Sequence, residues 1–246
     1  MKTGIMQSYF FPYIGYFQLI ESVDTFILYE NVAFNKKSWI TRNRILDKGK
    51  GVPFFINVPV KGKSSNKLIK EIEINEDEKW KGKLLKLIYF NYKKASFFNE
   101  IYPFLEEVIN SSEESLHLYN SNSIIKICNL LDIKTNILFD NKVNEDVEIE
   151  LQNQNDINFE DIKSERIFKI CNKYNFKTYI NPIGGTELYN KEHFSKNGLD
   201  LFFVNTKEYD YSQFNHTFNP HLSIIDMLMH IGVEQTKKTV KKYNLV

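Results

Sequence analysis

The sequence has few cysteines, few arginines and no long apolar run. Cys128 and Cys171 are far apart, which excludes a disulfide framework and a Cys-x-x-Cys metal site, and we expect two buried core thiols. No stretch approaches the about 18 consecutive apolar residues that a membrane-spanning helix needs. The N-terminus lacks the basic flank, apolar run and cleavage site of a secretory signal. These absences predict a soluble, cytoplasmic protein.

The charge is balanced, with 32 Lys+Arg against 31 Asp+Glu and a net charge of +1 in 246 residues. This balance argues against general electrostatic capture of nucleic acid or acidic membrane, although it is compatible with a local basic patch. A hydrophobic fraction of 42% argues against a disordered chain. Arginine occurs only at Arg42, Arg44 and Arg166, so the first two, two residues apart, single out their segment.

The order of the sequence signals predicts an α/β fold. Thr3–Gln7 is typical of a buried strand, Tyr16–Val23 of a helix and Thr25–Tyr29 of a second strand. Such a βαβ unit predicts a mainly parallel, Rossmann-like sheet with flanking helices. We expect one domain over residues 1–246, with an exposed connection around 141–155, where the chain is polar and without periodicity.

Apolar periodicity and turn residues predict the other elements. They are a polar loop over 31–51, strands over 54–58, 68–74, 133–139, 177–180 and 199–204, three helices between 78 and 131, and helices over 157–174 and 222–231. A Gly-Gly turn and a short helix are expected between the strands over 177–180 and 199–204.

The loop after the first predicted strand has six aromatic residues in the nine positions Tyr9–Phe17. Loops at this position lie at the carboxyl end of a parallel strand, where α/β proteins bind ligands. The loop either completes the core or forms a platform for a base or sugar, with a glycine that lets the backbone approach a phosphate. Its candidate substrate-binding residues are Gln7, Tyr9, Tyr13, Gly15 and Tyr16.

A basic segment around the arginine pair is the second candidate. It is either a solvated charged face or an anion site, because guanidinium groups bind phosphate or carboxylate through two hydrogen bonds. It follows the second strand, so we expect it to share one site with the aromatic loop and to hold the diphosphate of a nucleotide. The candidate residues are Lys37, Trp39, Arg42, Asn43 and Arg44.

A strand that ends in a Pro-Ile-Gly-Gly turn is the third candidate. It is either a tight turn followed by a helix capped by Thr186, or a turn whose backbone N–H groups bind an oxyanion. It lacks the Lys-Ser/Thr ending of a P-loop, which excludes an ATPase of that type. The candidate residues are Asn181, Gly184, Gly185, Glu187 and Tyr189.

The start of the last helix is the fourth candidate, with His221, Ser223 and Asp226 as candidate catalytic residues. Helix capping and a structural histidine are the alternatives to acid–base chemistry there. The sequence has no Gly-x-Ser-x-Gly elbow, zinc signature or Cys/His pairing, so neither a metal nor a cofactor is predicted.

These segments together, in this order, resemble the WbqC-like protein family across essentially the whole chain. The residues that carry the resemblance are Ile5-Met6-Gln7 with Phe11-Pro12-Tyr13-Ile14-Gly15-Tyr16, Trp39 with Arg42-Asn43-Arg44, Tyr179-Ile180-Asn181 with Gly184-Gly185 through Leu188-Tyr189, and Leu222-Ser223-Ile224-Ile225-Asp226. The resemblance implies a role in the biosynthesis of lipopolysaccharide O-antigen or a related bacterial surface glycan.

The expected activity is transfer of an acyl or aminoacyl group to a nucleotide-linked amino sugar, so the expected partners are that sugar and an activated donor. The alternative is a non-catalytic binding component of the same pathway. One departure from the family pattern and one difference from a more distant group of enzymes concern the candidate site. Glu30-Asn31 replaces the family's acidic pair after the second strand. Tyr13 and Tyr16 stand where the distantly similar nucleotidylyltransferases carry the histidines of a His-x-Gly-His loop.

Overall fold

A six-stranded, mostly parallel sheet organises this computed structural model, which describes residues 1–76, 79–139, 142–153, 161–207 and 209–246. In chain order the strands are β1 (Lys2–Met6), β2 (Thr25–Leu28), β3 (Arg42–Asp47), β4 (Val52–Asn57), β5 (Asn136–Leu138), β6 (Thr178–Pro182), β7 (Asp200–Thr206) and β8 (Tyr243–Leu245). The sheet has the strand order β5-β2-β1-β6-β7-β8, and β3 and β4 form a separate antiparallel hairpin. Only the last pairing of the sheet, between β7 and β8, is antiparallel.

The helices are α1 (Ile14–Glu21), α2 (Trp80–Tyr92), α3 (Phe98–Ile109), α4 (Leu116–Leu130), α5 (Lys142–Gln152), α6 (Ile162–Lys173), α7 (Lys191–Lys196) and α8 (Ile224–Val240). The predicted α/β class, the mainly parallel sheet and the three helices between 78 and 131 are confirmed. The helix predicted over 157–174 is α6, and positions 157–160 lie outside the described residues.

Two hydrophobic cores lie on opposite faces of the sheet because successive side chains of a strand point to opposite sides. In β2, Phe26 and Leu28 belong to the core that includes α1–α4 and α8, and Ile27 belongs to the core of α5–α7. Cys128 is buried in the first core and Cys171 in the second, as expected for core thiols. Burial raises the pKa of both thiols to about 12.

The polar loop predicted over 31–51 is partly wrong, because it contains β3. All six residues of β3 pair with β4. Asn43 is polar and yet buried, since its Nδ2 donates hydrogen bonds to the carbonyl oxygens of Phe10 and Phe11 at 3.0 and 2.8 Å. The polar arginines and this asparagine led to the prediction of a loop where a strand lies. The hydrogen bonds of Asn43 join the β3–β4 hairpin to the loop that follows β1.

The exposed connection predicted over 141–155 is wrong where the structure describes it, because α5 occupies most of this segment. Val147 and Leu151, four residues apart, bury the same face of the helix. On its polar side the Glu148 carboxylate binds the Arg166 guanidinium of α6. The acidic residues of this segment suggested a solvated connection, but one of them, Glu148, instead binds a residue of the neighbouring helix. Positions 141, 154 and 155 lie outside the described residues.

The half-exposed strand predicted over 68–74 is also wrong, and a short 3-10 helix occupies Ile69–Glu71. The Glu71 carboxylate accepts a hydrogen bond from the Leu68 N–H at 2.7 Å, which closes a local turn. The alternation of apolar and charged residues here belongs to a turn, which buries Ile69 and Ile72.

The last helix continues beyond the range 222–231 that the sequence predicts, and β8 follows it as an unpredicted edge strand. α8 is interrupted at Gly232, whose φ of 71° favours glycine. Phe97 packs directly against this glycine, where a Cβ atom would meet its ring. The sequence predicted that the helix ends before this glycine, and it did not predict the part of α8 that follows Gly232.

Candidate functional site

A cavity of about 400 Å³ lies at the carboxyl ends of β1 and β6. Its lining, which we call the aromatic cleft, consists of Met6, Tyr9, Pro12, Tyr13, Gly15, Tyr16, Trp39, Asn43, Arg44, Pro182 and His221. Ligands of parallel α/β proteins bind at this edge of the sheet because the loops after the strands converge there.

Hydrogen bonds from three parts of the chain assemble the aromatic cleft. The Phe10 N–H donates to the carbonyl oxygen of Trp39 at 3.0 Å. The Ser223 N–H donates to the Arg44 carbonyl oxygen at 2.8 Å, and its hydroxyl donates to the Phe11 carbonyl oxygen at 2.8 Å. The structure therefore brings the aromatic loop and the basic segment together at one cleft.

The aromatic loop contributes to both the core and the cleft. Phe10 and Phe11 are fully buried in the first core. The rings of Tyr9 and Tyr16 line the cleft with their centroids 5.5 Å apart, and the Tyr16 hydroxyl donates to the Gln7 carbonyl oxygen at 2.8 Å. Gln7 itself lies outside the lining. The loop thus completes the core with its phenylalanines and lines the cavity with its tyrosines.

The first turn of α1 borders the aromatic cleft at Gly15. No side chain caps this helix N-terminus, and the Tyr16 N–H donates to the Tyr13 carbonyl oxygen at 3.1 Å. The positive end of the helix dipole therefore lies at the border of the cleft. Gly15 is required here because a Cβ atom would lie 2.5 Å from the ring of Tyr13. That ring contacts His221 edge-on with centroids 5.6 Å apart. The absence of a side chain at Gly15 therefore lets Tyr13 cover the helix start.

The two neighbouring arginines have different surroundings. Arg44 lines the cleft with its guanidinium carbon 5.5 Å from the Trp39 ring centroid. The Nε atoms of both arginines are buried without a hydrogen-bond partner among the described residues. Arg42 instead donates from Nη2 to the Lys37 carbonyl oxygen at 2.7 Å and lies 4.8 Å from the Phe55 ring centroid. Lys37 is exposed outside the lining. Of the two arginines that were expected to hold a diphosphate, only Arg44 therefore lies at the cleft.

The third predicted segment reaches the cleft only through Pro182. Its five candidate residues lie outside the lining: Asn181, Gly184, Gly185, Glu187 and Tyr189. The Asn181 amide donates to the Tyr179 hydroxyl, and the Tyr189 ring packs in the second core. Thr186 does not cap a helix as expected, because its hydroxyl donates within a 3-10 turn and Asn190 caps α7.

The fourth segment contributes only His221 to the cleft, where the side chain is exposed. Ser223 is fully buried and is the N-cap of α8. Asp226 is fully buried and accepts hydrogen bonds from the hydroxyls of Tyr92 and Tyr211 at 2.6 and 2.7 Å. Burial, reinforced by the charge of Asp226, raises the pKa of both phenols. We interpret Ser223 and Asp226 as structural residues, because neither reaches the cleft.

Glu30 is a candidate residue that was not predicted from the sequence. It lies just after β2, and its Oε1 accepts a hydrogen bond from the Ser8 N–H at 3.1 Å. Oε2 is buried without a hydrogen bond of good geometry among the described residues. Burial raises the pKa of Glu30 to about 7, an effect that Ser8 only partly offsets. Burial and then the charge of Glu30 raise the pKa of Tyr16. The acidic pair that the family carries at this position could have indicated Glu30 from the sequence.

In the described ranges, no group of three or more His, Cys, Asp or Glu side chains is arranged to hold a metal ion. No helix within the same ranges has both the length and the apolar character that crossing a bilayer requires.

The fold and the cleft define an α/β protein with a candidate ligand site at the carboxyl edge of a mostly parallel sheet. The model of the WbqC-like protein family matches residues 7–238, and the chain belongs to this family. The chain is also similar to "Uncharacterized protein Rv1507c" of Mycobacterium tuberculosis (strain ATCC 25618 / H37Rv), with 29% identity over 236 residues that cover 95% of each chain. No solved structure gives a significant match.

Proposed function

We propose that the aromatic cleft binds a nucleotide-linked amino sugar and that the protein transfers an acyl or aminoacyl group to it in the biosynthesis of a bacterial surface glycan such as O-antigen. One observation carries this proposal. Arg44 and the N-terminus of α1 lie at the same cavity as the rings of Tyr9, Tyr13 and Trp39.

The chemistry of this lining suits the two halves of a nucleotide sugar. Phosphates are favoured by an arginine and by a helix N-terminus, and the base and the sugar stack on aromatic rings. Arg44 supplies the positive charge of this lining for an anionic oxygen. A volume of about 400 Å³ falls in the range of ligand cavities, roughly 300–1,000 Å³.

In the proposed reaction the sugar amine attacks the carbonyl carbon of an activated acyl or aminoacyl donor. A nitrogen–carbon bond forms, the bond from the carbonyl carbon to the leaving group breaks, and the amine loses a proton. His221 is the candidate base, since it lines the cleft and histidine exchanges protons near neutral pH.

We also propose a distant relationship to nucleotidylyltransferases for the opening β1–α1–β2 unit. The support is the order of strand, loop, helix and parallel strand, with a glycine in the first turn of the helix. In this proposal the phosphates lie at the N-terminus of α1, and the Tyr13 hydroxyl donates a hydrogen bond where a histidine would also supply charge. The Tyr16 hydroxyl already donates to the Gln7 carbonyl oxygen and orders the loop instead. If the N-terminus of α1 is blocked, we expect phosphate-dependent binding to be lost.

The alternative function is binding without catalysis. It is favoured by the burial of Ser223 and Asp226, which leaves His221 as the one predicted catalytic residue at the cleft. The alternative predicts nucleotide-sugar binding that is independent of any acyl donor.

Mass spectrometry of incubations with nucleotide-linked amino sugars and activated acyl donors tests both functions. The transferase predicts a sugar product heavier by one acyl group, and His221→Asn should lower its rate while binding persists. Ser195→Ala, at an exposed position of α7, is the matched control. Binding without product across a broad panel would favour the alternative, and no binding at all would contradict both.

A further inference from the structure

α2 has a charge that differs sharply from that of the whole protein. Residues 80–94, which are α2 and the two residues that follow it, contain five lysines and no Asp or Glu, whereas the complete chain has a net charge of +1. Among the described residues, Lys81 forms an ion pair with Glu76, and the structure records no ion pair for Lys83, Lys86, Lys93 or Lys94. These four side chains are exposed. The outer surface of α2 is therefore strongly cationic.

Large apolar side chains protrude among these lysines. Leu87 is 42% exposed and Phe90 is 63% exposed. Together with Lys83 and Lys86 they follow the spacing of one face of α2, three or four residues apart. A surface that alternates lysines with a protruding leucine and phenylalanine favours a partner that is both anionic and apolar.

The β3–β4 hairpin extends this surface. Phe55 is 48% exposed and, with Lys63, Lys83 and Leu87, borders a groove of about 470 Å³ between β4 and α2. At the hairpin turn the Lys48 N–H donates to the Asn91 side chain at 3.1 Å, which connects the turn to α2.

The turn adds further positive charge to the same side of the molecule. Partial desolvation, and then the charges of Lys93 and Lys94, lower the pKa of Lys48. We call the surface formed by Phe55, Lys63, Lys83, Lys86, Leu87 and Phe90 the lysine–apolar face.

We propose that the lysine–apolar face docks the protein on the surface of an anionic lipid bilayer. Lysines near such a surface are attracted by its negative potential, and leucine and phenylalanine side chains gain free energy on entering the boundary between headgroups and acyl chains. Nucleic acid would satisfy the lysines but would leave Leu87 and Phe90 exposed to water. The bilayer is therefore the partner that accounts for both features.

Docking in this way would bring the entrance of the aromatic cleft near the membrane. Phe55 of the lysine–apolar face stacks on Trp39 of the cleft, with ring centroids 6.3 Å apart and the planes inclined by 30°. The inference concerns peripheral attachment only, and it does not depend on the identity of the cleft's ligand.

Vesicle flotation of the full chain tests the proposal. The probes are vesicles of phosphatidylcholine alone and vesicles with about 30% phosphatidylglycerol. We expect binding only to the anionic vesicles, with release at about 0.5 M NaCl because salt screens exposed charges. Absence of binding to the anionic vesicles at low salt would overturn the proposal, as would equal binding to both kinds.

Two pairs of variants separate charge from insertion. Lys83→Gln with Lys86→Gln should lower the partition coefficient on the order of 30-fold, at about fivefold per lysine. The matched control is Lys163→Gln with Lys196→Gln, two exposed lysines of α6 and α7, and it should retain binding.

Leu87→Ser with Phe90→Ser should lower partitioning on the order of tenfold, because both apolar contacts with the bilayer are lost. Ile149→Ser with Leu188→Ser, 56% and 58% exposed elsewhere, is its control. Circular dichroism melting verifies that each variant folds. Equal losses in the control pairs would overturn the proposal, and so would binding to a short oligonucleotide that needs the lysines but not Leu87 and Phe90.

Discussion

Replacement of Arg44 by alanine should weaken nucleotide-sugar binding far more than replacement of Arg42. Among the described residues both arginines have a buried Nε without a hydrogen-bond partner, but only Arg44 lines the cleft. Arg42 instead donates from Nη2 to the Lys37 carbonyl oxygen and lies over Phe55. A hydrogen bond between a charged group and a ligand contributes roughly 1.5–3 kcal/mol. Arg44→Ala should therefore raise the Kd roughly 10- to 150-fold.

Arg42→Ala is the matched variant, because the arginine is two residues away in the same strand. It should change the Kd less than about threefold, which corresponds to less than about 0.7 kcal/mol. The lost contacts to Lys37 and Phe55 should instead lower the free energy of unfolding by about 1 kcal/mol, since the guanidinium is partly exposed. The melting temperature should fall by about 2–4 °C.

Isothermal titration calorimetry of both variants, with their melting curves, measures these effects. The ligand is the tightest binder from a panel of nucleotide-linked sugars. Arg44→Lys should recover part of the affinity, since an ammonium group keeps the charge but not the two-pronged hydrogen bonding. Unchanged affinity in Arg44→Ala, or equal losses in the two alanine variants, would refute the assignment of Arg44 to the phosphates.

Three further substitutions test the surroundings of the cleft. Because burial raises the pKa of Glu30 from 4.5 to about 7, its contribution to stability is complete below pH 4.5 and is lost as the pH rises through 7. The free energy of unfolding of Glu30→Gln, measured in urea titrations, should therefore rise by a few kcal/mol relative to that of the wild type as the pH goes from 5 to 8. Parallel pH curves for the two proteins would contradict this reasoning. Asn43→Ala should lower the free energy of unfolding by about 1–3 kcal/mol, because two loop carbonyls lose their donor, and an unchanged melting temperature would be the contrary result. Gly15→Ala should displace the Tyr13 ring and weaken ligand binding by about 3- to 10-fold in calorimetry. Its melting temperature should change little because alanine favours the helix by about 1 kcal/mol, and intact affinity would argue against a role for this ring.

The position of the cleft was predictable from the sequence, but its complete lining was not. Loops after parallel strands converge at one edge of a sheet, so the aromatic loop and the Trp39–Arg44 segment could be expected to meet. The same argument also favoured Asn181 and Gly185, which lie outside the lining, because it locates a loop at an edge but does not say which side chains point into the cleft. Glu30 was visible as a departure from the family pattern, whereas its burial was not.

By itself the sequence determined the family, the α/β class, the mainly parallel sheet and most of the helices. These follow from motifs, apolar periodicity and turn residues, which act over a few neighbouring positions. Only the tertiary structure decided that Arg44 rather than Arg42 lies at the cleft, that Asp226 is enclosed by two tyrosines, and that the acidic segment of α5 is a helix. These outcomes depend on contacts between residues far apart in the chain, and the free energy of such contacts overrides local preference.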